Sequence, residues 1–569
     1  MKKILFTQQR NLAICALVFA VSGSFGSAQA DERGDLEQLR ATTLSLIEAL
    51  VETGAITRER ADKLIGEAER KAKERAAQVA PAAPAGDAAK DGKRTVRVPY
   101  VPESVKQDIR DQVKQEVMAQ AKEERWAAPN TLPEWLDRFN FEGDLRLRFD
   151  GYRLDPSNTA AGVAGNVGGS QLTRGADLTC ANGNISAGCV PNGNTQEDFT
   201  RTRLRARFGF NAKVTDMVST GMRVSSGGTS GPTSTNQTLG QGFNKYSLVL
   251  DRAFVALNPT PTLLLTGGRI ANPFVSTDLV WADDLGFEGF VATYRPQIAP
   301  NFGAFITGGW FPLRTDTPQQ SNARNLTGGQ AGLEWKLMSH TDLKFAAAMY
   351  QFHGIEGTLE TPTRFGPPSV PDYGIRSEYP AGIRQRGNTL FATNFNVLAD
   401  PLTTTYWGLA SEFRELNLTG SLDIAEFGAN HIVLTGDYVK NLAFDRANIA
   451  RRTNSTIVDG RDYGFLGRVL VGRPVMAKRG DWNIALTYRW LGSDAVLDAY
   501  TNSDFGLGGT NNKGYILGGS YAFDKNSWLS VRWMNSDLID SMAPKVAGST
   551  IAPTKLSTDL LQIDLNVKF

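Results

Sequence analysis

The sequence predicts an all-β membrane protein, an antiparallel transmembrane β-barrel of about 16 strands with an N-terminal α-helical, coiled-coil-like extension. Three observations predict it: strict alternation of apolar and polar residues in the last segment, long and short connections that alternate along the chain, and no apolar run of helical span length. A membrane-spanning helix needs about 20 apolar residues. A chain that crosses a bilayer without such helices must do so with the strands of a closed sheet.

The C-terminal segment Ser557–Phe569 has the clearest strand pattern in the chain. Apolar residues occupy every second position, at Leu561, Ile563, Leu565, Val567 and Phe569. Period two predicts a strand with one apolar and one polar face, although soluble β-sandwiches also contain such strands. The terminal aromatic residue Phe569 makes this segment resemble the last strand of bacterial outer-membrane barrels, which the barrel-assembly machinery recognises.

From Phe139 onward, strand-like segments alternate with turns to the end of the chain. We expect strands near 139–152, 199–211, 216–227, 246–257, 262–271, 286–296, 301–313, 327–338, 342–353, 408–426, 431–443, 462–475, 481–492, 513–523, 527–537 and 557–569. The connections between them are alternately long and short. Outer-membrane barrels have long extracellular loops and short periplasmic turns, whereas a soluble sandwich gives no reason for this alternation. We therefore assign residues 139–569 to the barrel.

Residues 1–30 have the organisation of a secretory signal peptide. The basic residues Lys2, Lys3 and Arg10 precede an apolar run, Leu12–Val21. An Ala-Gln-Ala cleavage site then ends at Ala30. Loss of these basic residues changes the formal net charge from +2 to −1, so the mature chain has no basic excess that favours nucleic acid. Export together with a barrel predicts embedding in the lipid of the outer membrane of a Gram-negative bacterium.

Helical patterns precede the barrel, and we place them in the periplasm. Residues 31–75 form a predicted helical hairpin interrupted at Gly54, residues 76–102 an Ala/Pro-rich linker, and residues 103–130 an amphipathic helix. The apolar positions of the last helix drift from a heptad, so only a short or loose coiled coil is expected. The hairpin's apolar stripes have three possible partners: another copy of the chain, another protein, or the underside of the barrel.

Two cysteines of the mature chain, Cys180 and Cys189, lie in one Gly/Asn-rich loop. Disulfides form in exported proteins, so we expect these two thiols to be joined. Metal binding is the weaker alternative because the histidines, His340, His353 and His431, are scattered along the chain. No cofactor or metal site is expected.

Taken together, these features resemble the proteobacterial putative-porin family. They are the signal peptide, the hairpin LRATTLSLIEALVETGAITRERADKLI, the linker, the Gly-rich strands and the terminal Phe569. The resemblance implies a general outer-membrane channel with a periplasmic helical extension, and general porins of this size are homotrimers. Because these motifs are patterns, they transfer no functional residues.

Two predicted neighbouring strands carry arginines on one face. These are Arg201, Arg203, Arg205 and Arg207 in one strand, and Arg146 and Arg148, flanked by Asp144 and Asp150, in the other. A charge on the lipid face costs about 2–4 kcal/mol at the bilayer midplane, so we expect these side chains to face water in the lumen. A positive wall would attract anions. Alternatively, these arginines neutralise acidic lumen groups such as Glu334, Glu412 or Asp564 and only hold the wall in shape.

The third outer loop supplies acidic candidates for the pore lining, Asp278, Asp283 and Asp284. If this loop folds into the lumen, its carboxylates face the basic wall and create a transverse field that orients polar solutes. The alternative is an ordinary solvated loop.

We therefore expect a water-filled pore for passive diffusion of small polar solutes and ions, with a mild anion preference. A structural or adhesive barrel is the main alternative. A substrate-specific gated transporter is less consistent with the sequence, since such barrels have about 22 strands and a plug. The sequence contains no zinc-protease motif, nucleophile elbow or phosphate loop, so we do not expect an enzyme.

Overall fold

The computed structural model describes residues 138–159, 194–229, 231–315, 323–359, 375–393, 406–454, 458, 460–540 and 555–569, and the backbone of 173–174. Outside these ranges lie the predicted signal peptide, helical hairpin, linker and amphipathic helix, as well as Cys180 and Cys189. The predictions for those segments therefore stay predictions.

Sixteen long antiparallel strands form one sheet that closes on itself. In chain order they are β1 (Phe139–Leu154), β2 (Phe199–Lys213), β3 (Val218–Ser226), β4 (Leu248–Thr260), β5 (Leu263–Ala271), β6 (Gly286–Tyr294), β7 (Phe302–Arg314), β8 (Arg324–Met338), β9 (Thr341–His353), β10 (Arg414–Phe427), β11 (Asn430–Asn441), β12 (Tyr463–Gly472), β13 (Trp482–Leu491), β14 (Asn512–Ala522), β15 (Ser527–Leu538) and β16 (Ser557–Lys568). Each strand pairs with the next, and β16 pairs with β1. The predicted barrel is confirmed.

The strand predictions differ most from the structure at β10, which begins at Arg414 rather than near residue 408. The apolar segment Trp407–Leu409 is also a strand, but it pairs with Thr389–Ala392 in a separate small sheet. Period and composition show that this segment is extended, whereas only the tertiary structure determines its partner. Two other short strands, Gln237–Thr238 and Gln297–Ala299, pair with β2 and β7.

The closing pair β1–β16 shows why the two faces of the wall differ. Leu145, Leu147 and Phe149 of β1 point outward and are exposed, as are Leu561 and the other apolar residues at alternate positions of β16. The polar residues between them point inward. Main-chain hydrogen bonds between Gly143 and Phe569, of 2.9 and 3.0 Å, continue this pairing to the last residue. The barrel therefore has an apolar exterior that suits lipid and a polar interior.

Three of the long connections fold into the barrel. They are loop 3 (residues 272–285), the described parts of loop 5 (354–359, 375–393 and 406–413) and loop 7 (492–511). Their apolar side chains form one buried cluster with inward-facing residues of β6–β13, and Leu279, Tyr379 and Ala499 in this cluster have no solvent exposure. These loops therefore cover much of the inner wall on one side of the barrel.

Within the described ranges, helices are few and short. One α-helix, α1 (Arg446–Thr453), begins after Asp445, whose carboxylate accepts hydrogen bonds from the first free N–H groups of the helix. Single 3₁₀ turns occur at Ile375–Ser377, Asp498–Tyr500 and Phe505–Leu507. None of the helices in the described ranges is long and apolar enough to cross a membrane.

Two glycines of β8 allow a direct test of the interior packing. A Cβ at Gly332 would lie 2.2 Å from the ring of Phe305 and 2.6 Å from the carbonyl oxygen of Phe345. Phe305 is almost completely buried and cannot turn away. We predict that Gly332→Ala destabilises the folded barrel by about 1–3 kcal/mol through overpacking.

The matched control is Gly329→Ala on the same strand, where a Cβ would meet nothing within 4 Å. The temperature at which the compact, heat-modifiable gel band disappears measures both variants. Equal transition temperatures for the two variants would contradict the described packing of β7 against β8.

Candidate functional site

The inner faces of β1 to β4 carry a set of arginines that we call the basic wall. Its members are Arg146, Arg148, Arg201, Arg203, Arg205, Arg207, Arg223 and Arg252. Arg146 lies directly opposite Arg205, and Arg148 lies opposite Arg203, in the antiparallel register. Like charges at opposed positions destabilise a sheet. The wall therefore depends on carboxylates, some on β1 and β4 themselves and some from other strands and loops.

The sequence analysis did not identify Arg223 and Arg252 as members of the wall. Arg223 follows the alternation of β3, so period two could have found it. Arg252 could not be found in this way, because a bulge shifts the register between Arg223 and Val224 and brings the adjacent Asp251 inward as well. Asp251 forms a hydrogen bond of 2.6 Å with Arg223.

Near the long loops, three aspartates neutralise the centre of the wall. Arg148 contacts Asp564 of β16 at 2.6 Å and Asp504 of loop 7 at 2.7 Å. Arg203 contacts Asp150 at 2.9 Å and Asp504 at 3.3 Å. Burial alone would raise the pKa of Asp504, but the charges of Arg148, Arg532 and Arg201 and a hydrogen bond from Gln562 together outweigh it, and the pKa lies below its usual value. Asp504 thus stays ionised between two guanidinium groups.

These contacts alter one expectation from the sequence. Arg148 and Arg203 face the interior, as expected, but they are only 2% and 7% exposed and do not lie in open water. Loop 7 is the cause because it brings Asp504 onto both side chains. Arg201 pairs with Asp150 at 3.0 Å and remains about one-third exposed.

Nearer the short turns, Asp144 binds two arginines of the wall. Its carboxylate lies 2.9 Å from Arg205 and 2.7 Å from Arg207. Asp284 of loop 3 lies 3.7 Å from each of these guanidinium groups. Loop 3 and the wall therefore carry opposite charges where they face each other. Asp284, Arg205 and Arg207 all remain partly exposed to solvent.

Arg146 differs from the other predicted arginines. Its guanidinium donates a hydrogen bond of 2.6 Å to the side-chain oxygen of Asn236 in loop 2, which comprises residues 227–247. In the described part of the chain, Arg146 forms no salt bridge with any carboxylate, and its Nε has no hydrogen-bond partner. This positive charge is balanced only by acids at longer range.

Loop 3 is held in the lumen by two inward side chains. The amide of Gln330 in β8 both donates to and accepts from the backbone of Val275, at 2.8 Å in each case. Asp437 in β11 accepts hydrogen bonds from the backbone and the hydroxyl of Thr277, at 3.0 and 2.6 Å. The loop is thus attached to the wall opposite the arginines.

The three loop 3 aspartates have different surroundings. Asp278 accepts a hydrogen bond from Asn502 of loop 7 at 2.7 Å, and its carbonyl oxygen accepts one from Arg489 at 3.3 Å. Asp284 faces the basic wall, and Asp283 is exposed. The structure therefore brings Asp284 to the predicted arginines and holds Asp278 in a contact between loops.

Loops 5 and 7 are joined by buried polar groups. Asp494 accepts hydrogen bonds from the backbone and hydroxyl of Thr389, at 2.8 and 2.6 Å. The hydroxyl of Tyr379 donates to Asp498, and burial raises the pKa of this carboxyl to about 6. Since these partners come from both loops, the two loops cover the opposite wall together.

Open space remains along the basic wall. A cavity of about 510 Å³ borders Arg201 and Arg203, one of about 300 Å³ borders Asp144, Arg205 and Arg207, and one of about 410 Å³ borders Asn211, Arg223 and Arg252. The first lies at the long-loop end of β2, and the other two share Glu142 and Arg223 in their linings. No group of His, Cys, Asp and Glu side chains in the described ranges has the arrangement of a metal site.

A closed barrel of 16 antiparallel strands, with an apolar exterior, a charged interior and a third loop folded into the lumen, defines an outer-membrane channel of the porin class. A family model agrees with this architecture. The model described as "Putative porin" matches residues 40–569, and the chain belongs to that family.

Solved structures with similar folds include Salmonella typhi OmpF in complex with daunomycin, at 10% identity and a TM-score of 0.37. The outer membrane channel DcaP of Acinetobacter baumannii has 11% identity and a TM-score of 0.35, and Vibrio cholerae OmpT has 10% and 0.35. Each alignment covers 76% of this chain and 97% of the other. A search of curated proteins found no match. Similarities this low carry no functional argument, so the assignment rests on the family model.

The attachment of loop 3 leads to a prediction about the pore. Gln330→Ala removes both hydrogen bonds to Val275 and leaves its backbone groups without their partner, which costs about 1–3 kcal/mol for each buried group. Loop 3 should then move, and single-channel recordings should show higher conductance and more open-channel noise. Gln297→Ala is the control, because Gln297 is exposed and lies in the short connection between β6 and β7. Unchanged conductance and noise in Gln330→Ala would mean that loop 3 does not restrict the pore.

Proposed function

We propose that the protein forms a water-filled channel for passive diffusion of small polar solutes and ions through the outer membrane, with a moderate preference for anions. The charge balance of the basic wall carries this proposal. Six of the eight arginines contact six carboxylates, which are Asp144, Asp150, Asp251, Asp284, Asp504 and Asp564. Arg146 and Arg252 form no salt bridge with a described carboxylate, so the surplus is positive. Arg252 borders the cavity of about 410 Å³, and Arg146 is bonded to Asn236, which borders the cavity of about 510 Å³.

The size of the preference follows from screening. A guanidinium stays protonated at physiological pH and attracts anions to the wall. The Debye length is about 8 Å at physiological ionic strength, comparable with the width of a constricted pore. The preference should therefore be moderate and strongest in dilute salt. Salt bridges offset part of the charge of the paired arginines, so we expect Arg146 and Arg252, which have no carboxylate partner among the described residues, to attract passing ions most strongly.

Replacing Arg146 by Gln tests this assignment. The change removes one positive charge but keeps a donor for Asn236. At a few Å in water, one charge alters the energy of a passing ion by about 1 kcal/mol before screening, so the anion-to-cation permeability ratio should fall by about two- to fivefold. The measurement is the zero-current potential of the reconstituted protein in a KCl gradient.

Arg153→Gln is the matched control because Arg153 is also on β1 but is exposed outside the lumen-facing set. It should keep the wild-type potential. A wild-type potential in Arg146→Gln as well would show that the wall is structural, and the function would reduce to an unselective polar pore.

One observation favours the structural or adhesive alternative: loops 3, 5 and 7 fill part of the lumen. The same reconstitution distinguishes the two functions. Stable stepwise currents from folded protein support the channel, and their persistent absence supports the alternative.

We further propose that the protein is a homotrimer with residues 31–130 in the periplasm, and that the barrel-assembly machinery recognises β16 through Phe569. The helical patterns before the barrel and the alternation of β16 support these assignments. A monomeric mass for the complete mature protein in mild detergent would rule out the trimer. We also propose that Cys180 and Cys189 form a disulfide, which labelling of both thiols in unreduced folded protein would contradict.

A further inference from the structure

The cavity of about 510 Å³ lies at the long-loop end of the basic wall. Strands β1 and β2 form one side of it, and loop 2 folds against β2 to form another. The short strand Gln237–Thr238 pairs with Arg203 and Leu204, and the backbone of Leu239 donates to Thr202 at 2.9 Å. Residues of loops 5 and 7 complete the lining. The cavity is thus built from elements that are hydrogen-bonded to the barrel.

Three guanidinium groups border this cavity, those of Arg201, Arg203 and Arg386. None of the described residues that line it carries a carboxylate. Asp150 and Asp504, which pair with Arg201 and Arg203, are not part of the lining. The charged groups that the lining presents to a solute are therefore all guanidinium groups, while Asp150 and Asp504 lie behind two of them, and a small anion can approach these groups from the cavity.

The rest of the lining is polar but uncharged, with an apolar edge. Hydroxyl or amide groups come from Ser234, Asn236 and Ser503, and apolar surface comes from Phe199 and Leu507. The ring of Phe199 is held in place because it stacks on Tyr152 with ring centroids 4.4 Å apart. Fixed aromatic surface beside several donors and acceptors suits a solute that has both C–H faces and hydroxyl groups.

We propose that this cavity is a docking site for sugar acids, small carboxylates that carry several hydroxyl groups. The carboxylate would bind the guanidinium groups, of which Arg201 is the most exposed, and the hydroxyl groups would bind Ser234, Asn236 and Ser503. The volume is within the range of about 300–1,000 Å³ for small-molecule sites. This assignment deepens the proposed channel function because it names a solute class that would enter the pore.

The experiment uses the complete mature protein folded in detergent, with gluconate as the probe. Glucose has the hydroxyl groups without the charge, and acetate has the charge without the hydroxyl groups. Saturation-transfer NMR measures binding of each compound and does not require conduction. Block of single-channel current by gluconate provides a second readout in bilayers.

Gluconate should bind more tightly than either comparison compound. Arg201→Gln should weaken gluconate binding about tenfold because it removes a charge-assisted hydrogen bond, while Arg153→Gln should match the wild type. Ser503→Ala provides a second test within loop 7 if Arg201→Gln does not fold, and it should weaken gluconate more than acetate.

Equal binding of gluconate and acetate, or wild-type gluconate binding by both lining variants, would overturn the proposal. The two proposals can fail separately. Gluconate binding without any channel current would support the docking site and reject the pore, whereas normal current without gluconate binding would reject the docking site alone.

Discussion

The contact of Arg148 with Asp564 and Asp504 joins the parts of this barrel that are most distant in sequence. Arg148 lies on β1, Asp564 lies 416 residues later on β16, and Asp504 comes from loop 7. The first two residues lie across the pair of strands that closes the barrel. Loss of one partner from a buried ion pair costs about 3–5 kcal/mol, because the other charge remains buried. Barrel closure and the position of loop 7 are therefore linked through one guanidinium group.

The same arrangement makes the lumen asymmetric. Loop 7 is hydrogen-bonded to loop 5 through Asp494 and Asp498, and loop 3 is attached to β8 and β11 through Gln330 and Asp437. Together these loops bury the inner faces of the strands that are opposite the arginines. The space that remains lies along β1 to β4, so a permeating solute meets positive charge on one side and Asp284 on the other.

The sequence predicts the barrel well because its main signal is local. Apolar and polar side chains alternate along each strand with period two. The face that carries the charged residues must point away from lipid, and this holds whichever residues they pair with. Arg205 and Arg207 lie on the inner face of β2, where they pair with Asp144. The period-two argument failed for Arg252 because the bulge at Asp251 breaks the period.

The strand residues Asp144, Asp150 and Asp564 are candidate partners already in the sequence, whereas the loop partners of the arginines could not be predicted because they depend on loop conformation. Asp504 is separated from Arg148 by 356 residues and reaches it only when loop 7 turns inward. Arg146 and Arg203 look equivalent in the sequence, yet Arg203 has two aspartate partners and Arg146 has an asparagine. The difference between a structural and a functional arginine therefore arises in the tertiary structure.

The central claim is that solutes pass along the β1–β4 side while the loop-covered side is closed to them. Thiol accessibility during channel recording tests it most directly, in a chain whose Cys180 and Cys189 are replaced by serine. Asn211 on β2 borders an open cavity, and Thr419 is buried on the inner face of β10. The two test variants are therefore Asn211→Cys and Thr419→Cys. The account predicts that a charged, water-soluble methanethiosulfonate reagent changes the current through the Asn211→Cys channel and leaves the Thr419→Cys channel unchanged. Rapid modification of Thr419→Cys with no effect at Asn211→Cys would contradict it.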